Sequence, residues 1–205
     1  MSLNWRPAPS IPCSVATSDP FINSLYEFLK YLEANNPIKR RNLHVVGSNL
    51  TIGIGFDLAA GGEAVRRAVF SQLGLDYDYP ANHANAQPGS PEAIESDYIT
   101  RLMATVRGSN PTAVNNLMFA RYNDSRLNSL TQLQRRPYFS FNNDNEVKAV
   151  FDNLWTNVYS ILIYNRLPSL VGDAAFATSS EMRALASMLW NGGPGKLTKE
   201  LRAAI

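Results

Sequence analysis

The sequence predicts a mostly helical α+β domain with one small β-hairpin near its front. Three observations carry that expectation. Apolar residues recur at three- and four-residue steps in "DPFINSLYEFLKYLEANNP" and "VKAVFDNLWTNVYSILIYNRL", the period of an amphipathic helix. Between them, "NLHVVGSNLTIGIGF" switches to strand-like segments. Hydrophobic residues make up 45% of the 205 positions and charged residues 18%, enough to build a sizeable core.

Taken in order, residues 1–20 hold four prolines and little periodicity, and read as an irregular N-terminal arm. Asp19 and Pro20 then supply an N-cap and a first helical position, and Asn35, Asn36 and Pro37 stop that helix. Gly47, Ser48 and Asn49 mark a turn between two strand segments. "GGEAVRRAVFSQLGL" returns to a short amphipathic helix, and "DYDYPANHANAQPGSPEAI" is a polar loop that reads as an insertion between two lobes. Helices are expected near 91–107, 111–121 and 144–166. A further helix over "SSEMRALASMLWNGGPG" is capped by serine and ended by glycine, and a last one begins near Leu197. The domain expected from these elements runs over 21–205.

Composition excludes several function classes. The formal net charge is +2, from 19 basic and 17 acidic residues, without the concentrated basic footprint of a nucleic-acid binder. A weakly basic surface suits an anionic polymer such as a bacterial wall. Cys13 is the single cysteine, so no intrachain disulfide forms. His44 and His83 lie far apart and no Cys/His spacing resembles a zinc site, so no metal is expected. "MSLNWRPAPSIPCS" lacks the basic and apolar regions of a signal peptide, and no apolar run approaches the roughly 18 residues of a membrane span.

The first helix carries two glutamates that a helical wheel separates. With Leu25 at zero and about 100° per residue, Phe21, Ile22, Phe28, Leu29 and Leu32 cluster around zero. Glu33 falls at about 80°, on the rim of that face, and Glu27 at about 200°, away from it. A carboxylate on an apolar rim near the negative end of the helix dipole is favoured in its protonated form, as a general acid requires. The other reading is a surface glutamate paired with Lys39 or Arg40.

The hairpin stretch "LTIGIGFDLAAGG" offers the second half of a site. In an extended strand Thr51, Gly53, Gly55 and Asp57 share one face, and Ile52, Ile54 and Phe56 the other. Glycines between a hydroxyl and a carboxylate leave room for an extended substrate against the backbone. The competing reading gives the glycines a bulge and Asp57 a cap on the next helix. If the strand were straight, Thr51 and Asp57 would stand roughly 20 Å apart, so the glycines must bend the chain for both to act together.

"LEANN" followed by "LTIGIGFDL" resembles the phage-type lysozymes (glycoside hydrolase family 24), and most of all their pesticin-like bacteriocin branch. "EMRALASMLWNGGPGKLTKELRAAI" is similar to that family's C-terminal-lobe helix, and "NNDNEVKAVFDNLWTNVYSILIYNRLPSL" to the long helix before it. The likeness covers roughly 21–75 and 141–205; residues 76–140 have no counterpart and read as a helical insertion. The resemblance implies a two-lobed lysozyme-like domain, with Glu33 as the general acid, Thr51 orienting the attacking water, and Asp57 as base or electrostatic partner. The usual phage pattern places an aspartate between the glutamate and the threonine. From Ala34 to Leu50 this chain has neither Asp nor Glu, and Asp57 matches instead the "TxGxGxDL" run of the pesticin-like pattern.

Further implied residues are Gly53 and Gly55, lining the cleft, and Asn191, holding the lobe junction beside it or capping its helix. His44 either lines the cleft or serves the fold alone. The implied substrate is peptidoglycan, cut at the β-1,4 bond between N-acetylmuramic acid and N-acetylglucosamine by a cofactor-free monomer that is released or delivered to the wall. Two other readings stay open: an inactive wall-binding or structural module, and a glycosidase acting on chitin or chitosan.

Overall fold

Residues 19–130 and 134–161, with Ala184, Ala186, Ser187 and Trp190, are described by the structure, a computed structural model. The expected N-terminal arm up to residue 18, Asn191 and the helix near Leu197 lie outside the described residues. Among the described residues, seven α-helices accompany a small three-stranded antiparallel sheet, so the chain is mostly helical α+β. No described helix is long and apolar enough to cross a membrane.

The chain divides into two units, one formed by residues 1–32 and 151–205 and the other by 33–150. In the first, α1 (Asp19–Glu33) buries Phe21, Ile22, Leu25, Tyr26 and Leu29. Phe21 meets Trp155 at 6.0 Å between ring centroids, and Tyr26 meets Phe151 at 5.4 Å. Trp190 joins Phe151 and Tyr159 at 5.2 and 5.1 Å. Such pairs add about 0.5–1.5 kcal/mol each beyond the area they bury. Burial also pushes the Tyr159 hydroxyl up to about 12, keeping that ring neutral in its cluster. The buried stripe differs from the expected one because Tyr26 is drawn into these aromatics. The helix is turned toward Tyr26, which leaves Phe28 and Leu32 exposed.

In the second unit, the chain leaves α1 and at once begins α2 (Pro37–Arg41). Asn36 and Pro37 stop one helix and start the next: the Asn36 side chain accepts from the Ile38 and Lys39 amides, and Pro37 takes N1. β1 (His44–Val46) and β2 (Asn49–Ile52) are joined by a two-residue turn with Gly47 first, at φ 62°. β2 does not run on to Asp57 as one extended strand. It ends at Ile52, residues 53–55 turn, and β3 (Phe56–Asp57) returns antiparallel beside it. Positive φ at Gly53 (72°) and Gly55 (91°) makes the turn possible.

The sheet buries Leu50, Ile52, Phe56 and Leu58. α3 (Gly62–Gln72) follows, with Val65, Val69 and Phe70 buried, and Phe70 stands edge-on to Phe139 at 5.7 Å. After the short α4 (Tyr79–Asn82), α5 (Pro91–Thr105) and α6 (Pro111–Asn123) pack against each other. Both begin as the sequence predicts. Ser90 and Asn110 cap them by accepting from Ala93 and Ala113, and a proline fills the first turn of each. α7 (Asp144–Leu154) opens the expected long helix, and a π turn over Trp155–Tyr159 follows it.

Candidate functional site

Strand register assembles the site. In the β1–β2 pair His44 is the partner of Thr51, and in the β2–β3 pair Thr51 is the partner of Asp57. Directly paired residues of an antiparallel sheet stand about 4.5–5.5 Å apart at Cα with side chains on one face. His44, Thr51 and Asp57 therefore form one row across the sheet, with Thr51 in the middle. The separation of roughly 20 Å that a straight strand would impose is removed by the turn at Gly53 and Gly55.

Thr51 is only 4% exposed, yet its hydroxyl is not among the buried side-chain atoms left without a hydrogen-bond partner. Asp57 is half-buried. Its Oδ1 accepts from the Ala59 and Ala60 amides at 2.8 and 2.7 Å, and its Oδ2 from Asn49 Nδ2 at 2.7 Å. Three donors against about four lone-pair positions leave that carboxylate oriented and little able to take up a further proton donor. Asp57 thus also holds the turn that leads toward α3, but it does not cap that helix, whose N-cap is Gly61 with no side-chain cap bond.

The His44 ring is held by a 3.0 Å contact between Nδ1 and the Asn42 carbonyl. A carbonyl can only accept, so Nδ1 donates, and in the neutral ring Nε2 keeps its lone pair. Gly53 has a steric role as well as a conformational one. A Cβ there would lie 2.2 Å from ring carbons of Phe56, and its amide donates to the Arg40 carbonyl at 2.9 Å.

Glu33 closes α1, and it is exposed. The wheel places it at the correct angle, but position along the helix outweighs angle. As the last residue it projects past the buried stripe, so the expected withdrawal from water is absent.

Two site-building residues escaped the sequence reading. Alternation along β2 puts Asn49 on the face of Thr51, a signal that was present but was read only as a turn. Arg40 is 4% exposed, and its guanidinium reaches the Ala34 carbonyl and Asp144, each at 2.5 Å. Asp144 lies 104 positions along the chain, and local sequence gives no sign of that contact. The chain matches no protein-family model, no curated protein and no solved structure.

Proposed function

We propose that the protein is a glycoside hydrolase of the lysozyme type that cuts the β-1,4 bond between N-acetylmuramic acid and N-acetylglucosamine in bacterial peptidoglycan. The observation that carries the reading is the strand register that sets Thr51 in one row with Asp57 and His44. A hydroxyl beside a carboxylate suits a group that orients a water for attack. Hydrolysis needs an acid at the leaving oxygen and a positioned water on the opposite face of the sugar. Glu33 is the acid in this reading. Asp57, with three donors on about four lone-pair positions, is either the base that takes the attacking water's proton or a fixed negative charge facing the oxocarbenium-like transition state. No cofactor takes part, and the wall is reached by release or delivery.

A specific observation favours a second reading. Asp57 is fully employed in holding its turn, and Glu33 is exposed, which is also what an inactive wall-binding module of this fold would show. Purified peptidoglycan separates the two. An enzyme clears the suspension and releases new reducing ends on N-acetylmuramic acid, whereas a binder sediments with the wall and clears nothing. Reducing ends from chitin oligomers alone would move the activity to that substrate class. Thr51→Val sharpens the result. Removing the hydroxyl at nearly constant volume leaves the fold intact, while turnover falls on the order of 10²-fold.

A further inference from the structure

Arg40 is the point at which the two halves of the site meet. Its side-chain Nη1 donates to the carbonyl of Ala34, the residue immediately after Glu33, at 2.5 Å. Its backbone carbonyl accepts from the Gly53 amide, the first residue of the turn that brings Asp57 back beside Thr51, at 2.9 Å. Its Nη2 donates to Asp144 Oδ2 at 2.5 Å, while Arg41 Nε donates to Oδ1 of the same carboxylate at 2.8 Å. The Phe141 amide donates to the Arg41 carbonyl at 2.8 Å, and Asn42 bridges to Ser140, which ties the segment before α7 to the end of α2. The guanidinium is buried, and its Nε has no hydrogen-bond partner among the described residues.

We infer that Arg40, oriented by Asp144, is a positioning residue that fixes the Glu33–Ala34 segment relative to the Gly53 turn. It touches no substrate. It acts through Ala34 and Gly53, the backbone neighbours of the acid and of the Thr51–Asp57 pair. Lysine cannot replace it, because a single ammonium on a flexible stem does not hold a carbonyl and a carboxylate with the fixed planar geometry of a guanidinium. The inference rests on the proposed hydrolase reading for its effect on turnover, but not for its effect on the backbone.

The test compares wild type with Asp144→Asn, Asp144→Glu, Arg40→Lys and Arg40→Ala on soluble, uncross-linked peptidoglycan strands. Amide exchange at Gly53 is measured in the same proteins. For Asp144→Asn and Arg40→Lys, kcat falls on the order of tenfold or more with KM little changed, because small misplacement of reacting groups is costly. Gly53 exchange speeds up in both, and Asp144→Glu recovers part of each loss. Arg40→Ala shows the largest change, and if it fails to fold, the near-isosteric Asp144→Asn still decides the matter. Unchanged kcat and unchanged Gly53 exchange in folded Asp144→Asn overturns the inference, as does a kcat loss that only follows the unfolded fraction. If wild type itself does not cleave the strands, the hydrolase reading fails, and Gly53 exchange still decides whether the clamp exists.

Discussion

Two arginine–carboxylate pairs in the second unit show how differently one chemistry can be used. Arg121 on α6 and Glu95 on α5 are both 0% exposed, joined side-on through Nε and Nη2 at 2.7–3.0 Å. Arg40 is buried but its partner Asp144 is only partly withdrawn from water, and the Arg40 guanidinium also grips a backbone carbonyl. The first pair links two helices and leaves Arg121 Nη1 without a partner among the described residues. In the second, Arg40 donates to the Ala34 carbonyl and to Asp144, and its backbone carbonyl accepts from the Gly53 amide of the hairpin turn.

Breaking the sealed pair gives the largest stability effect. Glu95→Ala leaves a buried guanidinium without its counter-charge and costs about 3–5 kcal/mol, read by chemical denaturation. Replacing both partners with apolar residues of similar volume recovers most of that loss. Activity per folded molecule stays at the wild-type level, since neither residue touches the row. A large drop in activity at matched folded concentration would erase the distinction between the two pairs.

Gly53→Ala acts on the open region and has the next largest effect. The added Cβ collides with the Phe56 ring, and φ of 72° is strained for alanine, so about 2–3 kcal/mol is lost. Gly47→Ala in the neighbouring turn meets no atom within 4 Å and bears only the cost of its φ, about 1 kcal/mol. Similar losses at the two glycines would show that the close approach at Gly53 is not rigid.

The smallest effect is electrostatic. Burial raises the Asp144 carboxyl, but hydrogen bonds and charge from Arg40 and Arg41 outweigh it, so its pKa lies below the ordinary aspartate range. A carboxylate with a depressed folded-state pKa contributes stability above its unfolded value and loses it as pH falls through the folded value. The stability gap between wild type and Asp144→Asn is therefore full at neutral pH. It narrows below about pH 4, the unfolded aspartate value. Denaturation at stepped pH measures it, and a gap that widens on acidification would contradict the assignment of the clamp.

Local chemistry made much of this fold readable before any coordinates. Helices expected near 91–107 and 111–121 appear as α5 (Pro91–Thr105) and α6 (Pro111–Asn123). Glycines 53 and 55 announced a bend because Thr51 and Asp57 needed one. What stayed hidden depends on distant partners or on dual use of a residue. Asn36 and Pro37 were read as a stop, whereas they also nucleate α2. Glu33 has the right angle on the wheel, but whether the end of a helix is covered depends on what packs there, which no wheel contains. Arg40 is one of three consecutive basic residues in "KRR", and only Asp144, brought back by the fold, distinguishes it from a solvated charge.

The central claim concerns an acid at Glu33 working with the hydroxyl of Thr51 in the row it forms with His44 and Asp57. Its most direct test is the rate at which wild type and Glu33→Gln release N-acetylmuramic acid reducing ends from purified peptidoglycan at equal folded concentration. The account predicts steady release by wild type and a fall of at least about 10²-fold in Glu33→Gln, with thermal unfolding unchanged. Release by Glu33→Gln at the wild-type rate would contradict it.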